Sequence, residues 1–260
     1  MGFLEHTPVE KHGDFWVKRE DKYGSYPAPP LAKLRGARVA IRKLYESGVR
    51  DFATFDTRVS KSGQGVAAVL QDFPGTTLKC FFPLLKGDTL HVTQRTCAAL
   101  GAELVAMQGG RSAVLYAKAK GAAEAEGRWM LPFGMKFEET VEEVCAEARE
   151  HSGTGWRTVV MSTGTTMMLS GVAKALPEVE TIYGVSCGMA LPKQWQQVER
   201  NLGGRPRNVR LVEGGFGYYE ECRARMPFPS SVWYDRKAWL WLLRHKEELP
   251  RPVLFWNIGA

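Results

Sequence analysis

The sequence has no long apolar segment. No uncharged apolar run approaches the roughly 20 residues that a membrane-spanning helix needs, and residues 1–6 lack the apolar stretch of a signal peptide. We therefore expect no membrane partner and a cytoplasmic protein. Low-complexity segments are absent as well. The whole chain is expected to fold, either as one large α/β unit or as two lobes of roughly 100–150 residues each.

Paired cysteines are also missing. The 5 cysteines are odd in number and scattered, and none forms a C-x-x-C pair. This pattern indicates neither a disulfide framework nor a zinc site. We expect no bound metal, and cysteines that are mostly buried as small apolar side chains.

Charge is unbalanced towards the positive. With 35 Lys and Arg against 28 Asp and Glu, the net charge is +7, and the pI is about 9.2. Such a chain attracts anions, which here means a phosphorylated cofactor, an acidic substrate or nucleic acid. Basic residues cluster modestly at 33–43 and at Arg205, Arg207 and Arg210. A solvated basic face without function explains the same clusters.

From about residue 50, short β-rich apolar runs alternate with longer segments of helical period, which is typical of a parallel sheet with crossover helices. The predicted strands are 51–56, 77–85, 103–108, 129–133, 158–162, 181–187, 209–213 and 253–257. The predicted helices are 63–72, 92–100, 112–125, 140–151, 167–176, 193–202 and 235–248. The fold class is therefore α/β.

The first residues depart from this rhythm. Residues 15–21 predict a strand that runs into a charged turn. Pro27, Pro29 and Pro30 then hold an extended segment, and a helix is predicted to begin near Leu31. Lys33 would thus lie in the first turn of that helix, after a rigid loop.

Residues 30–37, P-L-A-K-L-R-G-A, resemble the lysine motif of fold type II pyridoxal-phosphate enzymes, in particular the S-F-K-L-R-G-A of threonine dehydratases. Residues 17–21, V-K-R-E-D, resemble the K-R-E/D-D strand that precedes that motif in the same superfamily. The resemblance implies that Lys33 holds pyridoxal 5'-phosphate as a Schiff base. A buried, cation-rich site favours this because it lowers the pKa of the amine.

A strand, a turn of small residues and a helix start follow one another at 159–171. The turn resembles the T-G-S-G-G-T-like loop that binds the cofactor phosphate in this superfamily. Backbone N–H groups at such a turn, with the positive end of a helix, form an anion site. The implied cofactor-binding residues are Thr163, Gly164, Thr165, Thr166 and Met167. An ordinary strand-to-helix connection is the alternative.

Near the C-terminus, residues 232–238, V-W-Y-D-R-K-A, resemble the V-Y-E-G-K-A helix start of 1-aminocyclopropane-1-carboxylate deaminases and D-cysteine desulfhydrases. Residues 253–260 resemble the final L-F-x-H-T-G-G strand of the same enzymes. By that resemblance Tyr234 is the active-site tyrosine, and Asp235 pairs with the pyridine nitrogen and strengthens the ring as an electron sink. Packing of Tyr234 on the sheet and capping by Asp235 are the alternatives.

A fourth segment, residues 57–68, resembles the S-x-G-N-H-A-Q-G-V-A loop that binds substrate in relatives. The implied substrate-binding residues are Ser60, Lys61, Ser62, Gly63 and Gln64. Ser60 falls at the catalytic serine position of the deaminases. Lys61 replaces the asparagine that contacts the cofactor ring, so it contacts a cofactor oxygen or an anionic substrate, or it points to solvent.

Taken together, these motifs predict two open, parallel or mostly parallel twisted sheets flanked by helices. The predicted domains are a large cofactor-binding domain, residues 1–47 and 135–260, and a smaller inserted α/β domain, residues 48–134. Relatives are commonly homodimers, and the same is expected here.

Three functions remain open from the sequence. The first is a lyase or deaminase acting at Cα of a small amino acid, with Lys33, Tyr234 and Ser60 as catalytic residues. The second is a decarboxylase or related lyase acting on an amino acid attached to a modified thymine base in phage DNA. In that case Arg58, Lys61, Arg205, Arg207 and Arg210 are candidates for phosphate contact. The third is a non-catalytic binding protein with the same fold.

Overall fold

The structure is a computed structural model that describes residues 2–84, 87 and 89–260. The chain divides into two compact units. Unit 1 consists of Ser25–Pro29 and Lys33–Glu139, and unit 2 of Gly2–Gly24, Pro30–Ala32 and Thr140–Ala260. The predicted functional division at residues 47 and 134 stays a prediction.

Unit 2 is built on a six-stranded sheet with the strand order β1-β2-β10-β7-β8-β9. Its strands are β1 (Val9–His12), β2 (Phe15–Arg19), β7 (Thr158–Thr163), β8 (Thr181–Ser186), β9 (Val209–Glu213) and β10 (Val253–Asn257). The β1–β2 pair is antiparallel, and every other pair is parallel. The last strand, β10, lies between β2 and β7, so both ends of the sequence meet in the middle of this sheet.

Helices cover both faces of that sheet. They are α5 (Glu138–Arg149), α6 (Met167–Ala175), α7 (Leu191–Leu202) and α8 (Asp235–His245). Successive strand residues point to opposite faces, so Val159 packs with α5, α6 and α7 while Val160 packs with α8. Strands that are buried on both faces must be apolar throughout, which explains the uninterrupted apolar runs of the sequence.

Unit 1 holds a four-stranded, fully parallel sheet with the order β5-β4-β3-β6. The strands are β3 (Asp51–Phe55), β4 (Thr77–Pro83), β5 (Glu103–Met107) and β6 (Trp129–Met130). Its helices are α1 (Leu34–Glu46), α2 (Ser62–Leu70), α3 (Val92–Ala99) and α4 (Ser112–Ala125). A core cluster joins this sheet to α4 through Phe55, Leu115 and Ala119.

The predicted fold class is confirmed, since both sheets are parallel or mostly parallel and are flanked by helices. The sequence reading missed β1, a short half-exposed strand whose pairing with β2 fixes it. The predicted ends lie within two residues of the observed ones, except that β6 and α8 each end three residues before the predicted end and α1 begins three residues later than predicted. Leu85, the end of the predicted strand 77–85, lies outside the described residues.

Among the residues that the structure describes, no helix combines the length and the apolar character needed to cross a bilayer. All five cysteines are buried and free of disulfide bonds.

Candidate active site

Lys33 is the N-cap residue of α1, which begins at Leu34. The prediction that Lys33 lies inside the first turn is therefore off by one residue. The helix starts later than predicted because the preceding residues make other backbone bonds. Leu31 forms a β-bridge with Gly259, and the amide of Ala32 donates to the carbonyl of Ile258 at 3.1 Å.

The Lys33 amine lies in an environment that disfavours its charge. Burial lowers the pKa of the ammonium to about 8, with help from the nearby positive charge of Lys136. Its Nζ donates to the carbonyl oxygen of Gly134 at 3.1 Å. A larger share of this amine is therefore neutral near physiological pH than for an ordinary lysine, which is the form that attacks a carbonyl.

The predicted substrate loop begins α2. Ser60 Oγ donates to Ser62 Oγ at 2.9 Å and accepts from the Ser62 amide at 3.1 Å. Lys61 is the half-buried N-cap residue of the helix. The side-chain amide of Gln64 donates to the carbonyl of Pro27 at 2.8 Å, so this loop is tied to the proline segment that leads towards Lys33.

Helix α2 also packs against the start of α1. A Cβ at Gly65 would lie 2.6 Å from Leu34 Cδ2, which real side chains do not tolerate, so the backbone of α2 approaches the residue next to Lys33 closely. Within unit 1, the structure thus brings together Lys33 and the predicted substrate loop.

Asp56 is a functional candidate that the sequence reading treated only as a strand end. Both of its carboxylate oxygens accept from the amide of Gly63 at 2.9 Å, and burial raises its pKa to about 6. A Cβ at Gly63 would meet Asp56 Oδ2 at 2.8 Å and Cys80 Sγ at 2.6 Å. Glycine is therefore required where the first turn of α2 contacts this carboxylate.

In unit 2, the predicted phosphate turn connects β7 to α6 at the carboxyl edge of the sheet, where ligands of open α/β sheets bind. Thr166 is the N-cap residue of α6 and has a left-handed backbone with φ 59°. Its hydroxyl is buried without a hydrogen-bond partner among the described residues. The direction in which Gly164 would carry a Cβ is open, with no other atom within 4 Å.

This turn fits a phosphate group. The positive end of α6 and its unbonded N–H groups favour an anion. In the described part of the chain the buried Thr166 hydroxyl has no hydrogen-bond partner, and burial of a polar group without a partner costs about 1–3 kcal/mol. A phosphate oxygen would supply the missing partner.

Gln194 holds the turn in place and was missed by the sequence reading. It is fully buried on α7, and its Nε2 donates to the carbonyls of Thr163 at 3.1 Å and Gly164 at 3.2 Å. The hydroxyl of Thr163 donates back to Gln194 Oε1 at 3.3 Å. A single glutamine in an amphipathic helix carries no sequence signal for such a role.

Asp235 is buried at the first residue of α8. Its Oδ1 accepts from Ser162 Oγ at 2.9 Å, at the end of β7, and from the amide of Ile258 at 3.1 Å. Two donors from two neighbouring strands therefore fix one carboxylate oxygen. A buried carboxylate in a defined position suits the pairing with a protonated pyridine nitrogen that the sequence implied.

Tyr234 and Tyr218 form a pair whose hydroxyl oxygens lie 3.0 Å apart. Burial is the main cause that raises the pKa of Tyr234 well above its usual value, followed by Tyr218 itself. Tyr234 therefore stays protonated at neutral pH. Tyr218 was missed by the sequence reading, and its segment is fixed by Lys237 Nζ, which donates to the carbonyl of Gly217 at 2.7 Å.

The second basic cluster lies elsewhere in unit 2. Arg205 and Arg207 belong to the connection that enters β9, and Arg210 follows at the start of the strand. They are exposed, and the Arg205 guanidinium stacks on Trp195 at 3.8 Å. Because β9 runs parallel to β7 through β8, these residues lie at the amino edge of the sheet, opposite the turn of Thr163 to Met167.

Comparison with known proteins agrees with this geometry. No protein-family model matches the chain. A glycyl-dTMP PLP-dependent decarboxylase of Pseudomonas phage M6 is 31% identical over 284 aligned positions, which cover 98% of this chain and 99% of that protein.

Solved structures show the same fold at low identity. An ACC deaminase homologue has a TM-score of 0.79 at 16% identity, covering 98% of this chain and 89% of its own. Threonine deaminase isoform 2 from Solanum lycopersicum has a TM-score of 0.69 at 16% identity, covering 99% of this chain and 84% of its own. The chain therefore belongs to the fold type II pyridoxal-phosphate enzymes, in one family with the phage M6 decarboxylase, and its cofactor is pyridoxal 5'-phosphate.

Proposed function

We propose that the protein removes the carboxyl group from a glycyl unit joined to a thymidine nucleotide. The observation that carries this proposal is the identity of 31% with the glycyl-dTMP decarboxylase, which extends over almost the full length of both chains. A decarboxylase acting on an amino acid attached to thymine in phage DNA is one of the functions that the sequence left open.

The reaction breaks the bond between Cα and the carboxylate carbon. Carbon dioxide leaves without the bonding electrons, and a proton takes its place on Cα. Pyridoxal phosphate supplies the covalent carrier for the substrate amine and the electron sink for the pair left at Cα. The remaining work falls to the protein, which must bind the carrier, orient the carboxylate and deliver one proton.

We assign the covalent attachment to Lys33. Its lowered pKa of about 8 provides neutral amine for attack on the cofactor carbonyl. With the cofactor bound, the Lys33 amine would also be the group that moves a proton to or from Cα. The bond from Nζ to Gly134 gives the released amine a defined position.

Phosphate binding is assigned to Thr163, Gly164, Thr165, Thr166 and Met167, and pairing with the pyridine nitrogen to Asp235. Both assignments rest on the anion-binding character of the turn and on the fixed, buried carboxylate. Pairing with Asp235 would keep the ring nitrogen protonated. A protonated ring is the stronger electron sink, which favours loss of the carboxylate from Cα as carbon dioxide.

Tyr234 is the second candidate proton donor. Its raised pKa keeps the hydroxyl protonated, and Tyr218 lies within hydrogen-bond distance to replace a donated proton. Ser60 and Lys61 are assigned to substrate contact at the start of α2. Ser62, Gly63 and Gln64 complete that loop.

A lyase or deaminase acting on a small amino acid is the second candidate. It is favoured by residues 232–238 and 253–260, which resemble the helix start and the final strand of 1-aminocyclopropane-1-carboxylate deaminases and D-cysteine desulfhydrases. The two candidates differ in products. Deamination releases ammonia and a keto acid, whereas decarboxylation releases carbon dioxide and leaves the amine on the product.

The test is to incubate the holoenzyme with glycyl-dTMP and to follow carbon dioxide release and product mass. We expect one carbon dioxide per nucleotide consumed and an amine product, with no ammonia. Lys33→Ala is expected to lose at least about a thousandfold in rate. Borohydride reduction of the holoenzyme should label Lys33.

Lys43→Ala is the matched control, because Lys43 is an exposed lysine of the same helix. Release of ammonia and a keto acid from free amino acids, without turnover of glycyl-dTMP, would replace this proposal by the deaminase candidate.

A further inference from the structure

Two helices of unit 1 begin at the same edge of its sheet. Strands β3, β4 and β5 are parallel neighbours. Helix α2 follows β3 and helix α3 follows β4, and the two helices pack against each other. Because each helix starts where a parallel strand ends, their positive ends both lie at the carboxyl edge, which is the ligand-binding edge of such sheets.

Three basic side chains accompany these helix starts. Arg58 lies in the connection between β3 and α2, Lys61 is the N-cap residue of α2, and Arg95 lies in the first turn of α3. All three lie close enough to His91, the N-cap residue of α3, to lower its pKa. Burial lowers its pKa, and Arg95, Lys61 and Arg58 lower it further in that order.

His91 itself adds no charge to this cluster at neutral pH. With its lowered pKa it stays neutral, and its Nδ1 accepts from the amide of Thr93 at 3.4 Å as a helix cap. The cluster of Arg58, Lys61 and Arg95 therefore carries three positive charges around an uncharged imidazole.

A buried hydroxyl at the same edge lacks a partner. Thr57 immediately precedes Arg58, is 6% exposed, and its Oγ1 has no hydrogen-bond partner among the described residues. The neighbouring carboxylate, Asp56, is buried and accepts from the amide of Gly63. Two guanidinium groups, an ammonium and a hydroxyl donor form a donor set suited to a phosphate, which takes several charge-assisted hydrogen bonds.

We propose that Arg58, Lys61 and Arg95, with the hydroxyl of Thr57, form an anion subsite that binds the phosphate of the nucleotide substrate. This inference rests on the proposed function, because it assumes a nucleotide rather than a free amino acid. It assigns to unit 1 a phosphate-binding role separate from that of the turn of Thr163 to Met167 in unit 2. The phosphate comes either from a free mononucleotide or from the backbone of a polynucleotide.

The experiment compares binding of thymidine, dTMP and a short oligothymidylate to the holoenzyme by calorimetry. We expect dTMP to bind at least about tenfold more tightly than thymidine, since its phosphate adds charge-assisted hydrogen bonds that thymidine cannot make. In Arg58→Gln and Arg95→Gln this preference for dTMP should fall by about tenfold in each variant, while thymidine affinity stays unchanged.

Lys120→Gln is the matched control, because it removes one positive charge from an exposed residue of α4. It should keep the full preference for dTMP. If the phosphate comes from a polynucleotide, the oligothymidylate should bind more tightly than dTMP. The slope of log K against log salt concentration should then fall by about one for each cation that a substitution removes. Equal or tighter binding of dTMP identifies the mononucleotide.

Two results would overturn the subsite. In the first, the holoenzyme binds thymidine and dTMP equally tightly, or binds neither. In the second, Arg58→Gln and Arg95→Gln both keep the full preference for dTMP over thymidine. Turnover of glycyl-dTMP is measured in the same preparations. If glycyl-dTMP is turned over normally and the arginine variants keep their preference for dTMP, the subsite is rejected and the decarboxylase proposal stands. If binding depends on the phosphate but glycyl-dTMP is not turned over, the decarboxylase proposal alone is rejected.

Discussion

The proposed cofactor turn of unit 2 and the proposed substrate loop of unit 1 are built differently. The turn is fixed from outside its own segment, by Gln194 on α7, and the neighbouring Asp235 is fixed by Ser162 and Ile258. The loop is held partly by its own residues, through the bonds between Ser60 and Ser62, and partly by Asp56 and Pro27 of the same unit. Support from other elements suits the binding of one invariant cofactor. A loop that is held partly by its own residues can change its sequence as the substrate changes.

This contrast predicts the largest loss of stability for Asp235→Ala. The substitution leaves the Ser162 hydroxyl and the Ile258 amide without their buried acceptor, so the free energy of unfolding of the apoprotein should fall by about 2–5 kcal/mol. Urea denaturation measures it. Asp235→Asn retains an acceptor oxygen and should lose much less, and equal losses in both variants would contradict this account of the carboxylate.

Gln194→Leu tests the support of the turn with a side chain of similar size. Loss of the bonds to Thr163 and Gly164 should lower the affinity for pyridoxal phosphate by about tenfold. Equilibrium titration of the visible absorbance checks this. Gln196→Leu on the same helix serves as the control, because Gln196 is exposed, and cofactor affinity should remain unchanged there.

Lys136→Gln tests the electrostatics around Lys33. Removal of the neighbouring positive charge stabilises the Lys33 ammonium, so its pKa should rise from about 8 towards the usual 10.5. The pH at which cofactor capture reaches half its maximal rate should therefore move upwards. Burial is the larger cause and remains, so we expect a shift below about one unit.

Stopped-flow mixing of apoprotein with pyridoxal phosphate over a pH series measures the shift. Lys120→Gln, which removes a charge from α4, should leave the midpoint in place. If the midpoint pH of cofactor capture is unchanged in both variants, or moves downwards in Lys136→Gln, Lys136 does not lower the pKa of Lys33.

The smallest change in stability is expected for Ser60→Ala. Ser60 is half-buried and bonds to Ser62 and to the nearby Asp56 carboxylate, so thermal denaturation should report a loss of about 1 kcal/mol. Its effect should appear in turnover instead. A loss of stability as large as that of Asp235→Ala would remove the proposed difference between loop and turn.

The sequence predicted the sheets and most helices because both rest on local periodicity. Val159 and Val160 illustrate this, since their strand is apolar on both faces and packs on both. The order of the motifs likewise points to Lys33, Tyr234 and Asp235 as site residues, and these roles stay predictions. The start of α1 was misplaced because residues 30–32 pair with residues from the far end of the chain, which no local pattern reveals.

Supporting residues escaped the sequence reading for the same reason. Gln194, Tyr218 and Asp56 act through contacts with distant or neighbouring segments, and their residue types are common on helices, in loops and at strand ends. Arg95 is a candidate for anion binding because α2 and α3 pack side by side, which the sequence does not reveal. Long-range packing, rather than composition, decides which polar side chains belong to a site.

The position of β10 also sets the order of events during synthesis. This strand forms the junction between β2 and β7, and the residues that follow it bond to the segment just before Lys33. A Cβ at Gly259 would lie 2.3 Å from the carbonyl oxygen of Pro30, so only glycine permits this closure. The nascent chain therefore cannot complete the unit 2 sheet until β10 has left the ribosome, although β2 and β7 are made long before it.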